Sequence, residues 1–222
     1  MKHLQIFLIE CLILSLLTIS CERKYITDID GNKYRIVKIG DQLWMAENLR
    51  VAHYNNGDPI PEIKENEEWS NIKIGACCNY NNNDSLRKIY GKLYNWYAII
   101  DSRGIAPKGW RIPTTEDLMK LINYLGGDSV AGGKLKEKGL IHWLYPNIGA
   151  TNESGFNALP GGYRLNYGGT FHALGANGYF WTTTESFELY SWSQQIFYAF
   201  ADKSPEMEFA NYGFSVRCVK DR

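Results

Sequence analysis

Apolar residues recur at helical spacing most regularly in the stretch that begins at Thr114. Leu118, Leu121, Ile122 and Leu125 share one face, while Glu116, Lys120 and Asn123 stay off it. The spacing predicts a helix from Thr114 to Leu125. Thr114 followed three residues later by Asp117 reads as a capping box with Asp in place of Glu. Pro113 discourages an earlier turn, and Gly126-Gly127 supplies the stop. Trp110 and Ile112 enter just ahead of the cap and are expected to be buried. Ile89 to Ile100, with Leu93, Tyr94, Tyr97 and Ala98 at helical spacing, predicts a second helix that ends near Asp101 to Gly104. Ser129 to Leu135 adds a short turn of helix around Gly132-Gly133.

Elsewhere the period shortens to two. Lys33 to Ile39 alternates between turns at Asp30-Gly31 and Gly40-Asp41, and Gln42-Leu-Trp-Met resumes after the second turn, which predicts short hairpin strands. In the last third, Phe156 to Arg164, Gly169-Thr-Phe, Gly178 to Glu185, Ser191 to Ala201 and Phe214 to Lys220 are strand-like segments separated by Gly and Asn. Two main helices packed on a small twisted antiparallel sheet place the chain in the α+β class. Glu47 to Asn71 reads as an extended loop, with a turn at Asn56-Gly57, regular structure blocked by Pro59 and Pro61, and Trp69 as its anchor. Asn79 to Asp84 reads as a polar surface loop.

Composition adds boundaries rather than elements. The 222 residues carry 24 Lys and Arg against 24 Asp and Glu, so charge gives no reason to expect nucleic acid as a partner. Lys2 and His3 precede an apolar run from Leu4 to Ile19, too short to span a membrane comfortably, so residues 1–20 read as a signal peptide. Leu17-Thr-Ile-Ser-Cys21 resembles a bacterial lipobox, which makes Cys21 the expected lipidation site. Residues 21–26 would then form a lipidated N-terminus with a short linker, and 27–222 a single domain. The expected location is outside the inner membrane, lipid-anchored at the outer membrane or cell surface. Of the remaining cysteines, Cys77 and Cys78 are adjacent and strained as a pair. A bridge from Cys218 to Cys77 or Cys78, with Cys78 and Cys218 as the candidate pair, leaves one thiol over.

Candidate chemistry is sparse. Asp28, Asp30 and Asn32 have the spacing that opens a calcium loop, but its closing glutamate is missing and the hairpin reading accounts for them. No cofactor is expected, and calcium has no support. His142 has no nucleophile or carboxylate placed by spacing to use it and reads as a loop or packing residue. The sequons at Asn83 and Asn152 mean little if the protein is bacterial.

Several ordered motifs carry a resemblance: Asp30-Gly-Asn-x-Tyr, Trp44-Met-Ala-Glu-Asn-Leu, Tyr90-Gly-x-Leu-Tyr-Asn-Trp-Tyr-Ala, Pro107-x-Gly-Trp-x-x-Pro-Thr, Ala131-Gly-Gly-Lys-Leu-Lys, Asn152-Glu-Ser-Gly-Phe, Leu159-Pro-Gly-Gly-Tyr-Arg and Phe214-Ser-Val-Arg-Cys-Val. Together they resemble the Fibrobacter major paralogous domain family over nearly all of the mature chain. That family is similar to the C-type-lectin-like group, which includes the formylglycine-generating enzymes. The resemblance implies helices packed on one side of a twisted sheet, with long irregular loops on the other. Its members frequently place a cysteine just before the Pro-x-Gly-Trp motif, where this chain has Ala106.

The resemblance implies a surface-displayed, non-catalytic binding module whose ligand is a glycan or a protein, reached through the late strands. Tyr190, Trp192, Gln195, Tyr198 and Tyr212 are the candidate contacts, because aromatic and amide groups stack on sugar rings or make adaptable protein contacts. Alternate residues of a strand face opposite sides, so some of these aromatics are packing. If Trp192, Gln194 and Ile196 point inward, Ser193, Gln195 and Phe197 point out. The helix from Thr114 to Leu125 would support the stretch from Glu188 to Tyr212 from behind. Two alternatives stand beside this reading. One is a structural component of the envelope. The other is an oxidase related to the formylglycine-generating enzymes, which need a reactive cysteine pair near the closing strand, where only Cys218 lies.

Overall fold

The first sheet grows from the two turns that Gly31 and Gly40 permit. In the computed structural model, which describes residues 25–187 and 190–221, the leader and Cys21 lie outside the described residues, as do Glu188 and Leu189. Strand β1 (Tyr25–Thr27) pairs antiparallel with β2 (Lys33–Ile39) around Gly31 at φ +79°. Strand β3 (Gln42–Met45) returns through Gly40 at φ +61°. Asp28 closes the first turn by accepting from the backbone N–H groups of Asp30 (3.0 Å) and Asn32 (2.9 Å) and from the Tyr34 hydroxyl (2.6 Å). Asp30 accepts from the Ala52 N–H and meets His53 Nδ1, both at 2.5 Å. The residues with calcium-loop spacing therefore serve the hairpin.

Past the first hairpin the chain is mostly irregular. The expected loop from Glu47 to Asn71 contains a short helix, α1 (Asn66–Asn71), which buries Trp69 completely. The expected helix from Ile89 to Ile100 does not form. Helix α2 (Asp84–Tyr90), capped by the Asn83 side chain on the Ser85 N–H (2.9 Å), stops at Gly91 with φ +79°. Strand β5 (Leu93–Tyr94) then pairs with β4 (Cys77–Cys78), and Asn95 caps a single turn, α3 (Trp96–Ile99). Gly91 has to pass against Asn48 and Leu49, where a Cβ would lie 2.7 Å from both the Asn48 Cβ and the Leu49 carbonyl oxygen. The backbone bends there, and Leu93 and Tyr94 enter a strand.

The Thr114 helix is present as α4 (Thr115–Tyr124), with both halves of its capping box made. Asp117 accepts from the Thr114 N–H (2.9 Å), and Thr114 Oγ1 accepts from the Asp117 N–H (3.3 Å). Arg111, in β6 (Trp110–Arg111), forks onto the same carboxylate at 2.5 and 2.8 Å. Leu118, Leu121, Ile122 and Leu125 are buried as their spacing requires. The glycine pair sits inside α5 (Asp128–Leu135), a longer helix than the single turn expected. A Cβ on Gly132 would stand 2.2 Å from the Asp202 carbonyl oxygen, so the glycines let this helix touch the backbone of the late strands.

The late strands form the second large sheet, in the order β11 (Lys203–Phe209), β10 (Tyr190–Phe197), β9 (Asn177–Phe187), β7 (Gly161–Arg164), β8 (Phe171–Leu174). Its pairs are antiparallel except β7 with β9. The first sheet is completed by β12 (Val219–Lys220), which lies between β3 and β6. The segment leading into β12 joins all three sheets. Gly213 exchanges hydrogen bonds with Arg164, Phe214 with Tyr94, and Ser215 bridges Tyr179 and Trp181. Leu49 and Met45 then donate to the carbonyls of Val216 and Cys218 at 2.9 and 3.0 Å. The chain is α+β and built mostly of antiparallel strands.

This arrangement corrects the disulfide expectation. Cys77, Cys78 and Cys218 are all free and buried. Cys78 packs with Trp69, Tyr80 and Leu93, whereas Cys218 lies in the central core with Tyr34, Trp181 and Phe214, so the candidate bridge is not formed.

Candidate functional site

Strand β10 is covered on both faces. In its register with β9, Gln194 lies opposite Phe180 and Ser193 opposite Trp181. Period-two alternation sends Phe180 into the helix-side core with Leu118, Ile122 and Ile196, and Trp181 into the central core with Phe214. Ser193, Gln194, Gln195 and Ile196 are consequently all buried, and neither alternate set of the strand faces open solvent.

The five candidate contacts part company in this setting. Trp192 is half-buried and opens onto a cavity of about 480 Å³ between α4 and the strands. Gln195 is buried, and its amide donates to Glu208 at 3.2 Å. Tyr212 packs on Phe214 with ring centroids 5.3 Å apart and on Tyr163 at 5.8 Å. Tyr190 packs on Phe209 at 4.4 Å, and Tyr198 lies against the helix-side core. Tyr190 and Tyr198 are half-buried, as Trp192 is, and neither lines the cavity that Trp192 opens onto.

The Trp192 cavity is built largely by the helix. Leu118, Met119 and Ile122 give it an apolar wall from α4, Met119 standing 60% exposed, while Asn123 and Gln194 add amides. Among the described residues nothing accepts from the Trp192 indole N–H, so ring and donor are both available to a ligand. The helix thus both packs behind the strands and forms a wall of the site. An apolar Met119 off the buried stripe of α4 is the sequence signal for this, since helix flanks turned to water are ordinarily polar. Among the described residues no three His, Cys, Asp or Glu side chains group as metal ligands.

A second polar-aromatic cluster lies on the other face of the sheet. Tyr163 stacks on His172 (5.5 Å) and meets Tyr179 edge-on (4.9 Å), and Asn177 donates to the Tyr179 hydroxyl at 2.9 Å. Burial pushes the nearby Glu208 carboxyl up to about 7, and Glu206 adds to the shift. His142 is a packing residue, with Nδ1 2.8 Å from Glu137 and its ring 5.6 Å from Tyr90.

The basic residues of the sequence motifs are structural. Arg164 donates to the carbonyls of Ile63 (2.5 Å), Lys64 (2.8 Å) and Gly169 (2.8 Å), with its guanidinium over Trp69 at 4.6 Å. Arg217 donates to the carbonyls of Met45, Phe156 and Asn157. The Lys136 ammonium donates to those of Ile148, Phe197 and Phe200 at 2.7 to 2.9 Å. Each fully buried cation ties loops that have no regular structure of their own, satisfying carbonyls that burial would otherwise strand.

Searches of the curated proteins and of the solved structures find no match. The family model of the Fibrobacter succinogenes major domain matches residues 37–220, from β2 through β12. The motif cations and the strands they lace together lie inside that span, and the chain belongs to this family.

Proposed function

We propose that this domain is a non-catalytic binding module of lectin-like fold, displayed at the bacterial cell surface by lipid on Cys21, with a glycan as the ligand of the Trp192 cavity. The observation that carries the reading is the half-buried indole of Trp192, whose N–H is unpaired among the described residues, facing the apolar flank of α4 across a cavity of about 480 Å³. A sugar ring has one apolar face to lay on an indole and an edge of hydroxyls for Asn123.

The thiols support a binding role over an oxidase. Cys218 is buried in the central core, where desolvation holds its pKa far above the ordinary thiol value, and Cys77 and Cys78 lie in a different sheet. They do not form the paired, accessible thiolates such chemistry uses.

The test is a glycan array probed with the protein and with Trp192→Ala. Binding that falls at least tenfold in the variant, at unchanged melting temperature, is expected. Binding of envelope proteins with no glycan signal, or equal glycan binding by both forms, overturns the reading. The anchor has its own test, since Cys21→Ala should move the protein out of the membrane fraction.

A further inference from the structure

Eleven consecutive residues, Gly139-Leu-Ile-His-Trp-Leu-Tyr-Pro-Asn-Ile-Gly149, carry no Asp, Glu, Lys or Arg, and most of them stand in solvent. Ile141 is 81% exposed and Tyr145 80%, with Leu140, Leu144 and Ile148 about half exposed beside them. Single exposed apolar residues are ordinary, but a run of five on one loop is not.

This loop is held in shape. Trp143 is buried beneath it and donates from Nε1 to the Ala158 carbonyl at 3.0 Å. The Asn147 amide closes its base on the carbonyls of Glu137 (3.0 Å) and Gly139 (2.7 Å). The Leu144 and Ile148 N–H groups donate to Gly175 and Tyr198, and the buried Lys136 ammonium takes the Ile148 carbonyl. Ile148 and the exposed Phe200 line one depression, so the apolar surface continues past the end of β10 and is bounded there by Asp128 and Asp202.

We propose that this loop is a membrane contact that sets Ile141 and Tyr145 into the boundary between lipid headgroups and acyl chains. Two features favour a bilayer over a protein partner. The loop carries no charge, and its exposed side chains offer the Tyr145 hydroxyl as their hydrogen-bonding group, whereas protein interfaces read a polar rim around an apolar centre. Tyr145 is an amphipathic ring suited to headgroup depth, and exposed Lys138 adjoins the loop where lipid phosphates would lie. The contact is independent of acylation at Cys21 and would fix the orientation of a tethered domain.

The experiment places an environment-sensitive fluorophore on Ile141→Cys in the full chain, reconstituted into vesicles of phosphatidylethanolamine and phosphatidylglycerol. The unsubstituted protein serves as the blank, since Cys77, Cys78 and Cys218 are buried. Nitroxide-bearing lipids should quench the label, and Tyr145→Asp in the same background should reduce membrane-bound loop about tenfold or more. A label that stays in water overturns the proposal. A label shielded but not quenched by lipid also overturns it, in favour of contact with a protein or a second copy. Both substituted side chains project into solvent, and an unchanged circular dichroism spectrum confirms the fold of each variant.

Discussion

The Arg217 guanidinium donates from Nε to Asn48 Oδ1 at 2.6 Å, joining residues 169 positions apart in the chain. Asn48 is itself held by its amide, which donates to the Tyr90 carbonyl at 2.8 Å and to Ser215 Oγ at 3.1 Å. Both residues belong to motifs, and neither faces the cavity. Arg217→Lys keeps the charge but cannot reproduce the fork, leaving buried carbonyls unpaired. It should cost about 3 kcal/mol, and Asn48→Ala about 2 kcal/mol, in urea unfolding at equilibrium. Full stability in Arg217→Lys would show that the carbonyls are satisfied in some other way.

Asp117 joins the cap of α4 to Arg111 of the first sheet. Burial alone would raise its pKa, but hydrogen bonds from Arg111 and Thr114 hold it down to about 2, against an ordinary 3.8. A depressed acid contributes stability that is complete above the unfolded value and is lost as pH falls through the folded one. Stability should therefore decline between about pH 4 and pH 2 in the wild type, with a shallower decline in Asp117→Asn. Thr114→Ala, which removes only the cap, should cost about 1 kcal/mol at neutral pH.

The sign reverses at Glu208. Its carboxyl is raised from 4.5 to about 7 by burial first and Glu206 second, so the folded protein binds a proton that the unfolded chain has released. The penalty is absent below about pH 4.5 and complete above about pH 7. Glu208→Gln should melt higher than wild type at pH 8, and the difference should close as pH is lowered to 4.5. A constant difference across that range would show that Glu208 is ionised throughout.

Burial raises the Cys77 thiol to about 11 and the Cys78 thiol to about 12, and carries Cys218 higher still. None of the three should react with a thiol reagent at pH 8 in the native protein, and all three should react once it is unfolded. Two missing equivalents after unfolding without reductant would reveal a bridge within the chain.

What was legible in the chain is what is decided locally. The cap of α4 lies within four residues, and its apolar face follows from spacing alone. The stretch from Ile89 to Ile100 misleads because Leu93, Tyr94, Tyr97 and Ala98 suit a helix, while the break is set by the approach of Gly91 to Asn48 and Leu49. Strands in the last third were visible, but their partners were not, because Val219 pairs with Trp44 and Arg111. At the site, Ser191, Ser193, Gln194 and Gln195 look like solvent-facing positions. They are buried because both faces of the sheet are covered, and Ser191 answers by donating to the Thr184 carbonyl at 3.1 Å. Of the candidate residues, Trp192 alone reaches the cavity, and its partner Met119 comes from a helix first read as scaffold.

The segment from Gly213 to Lys220 also sets a schedule. It follows in synthesis every strand to which it is bonded, supplying β12 to the first sheet and hydrogen bonds to the other two. The first sheet cannot join β3 to β6 until these residues appear, because non-local pairing must wait for its last member. Late closure makes the last residues of the domain the keystone between β3 and β6, so the turns at Gly31 and Gly40 can form early while the sheet they begin is finished last.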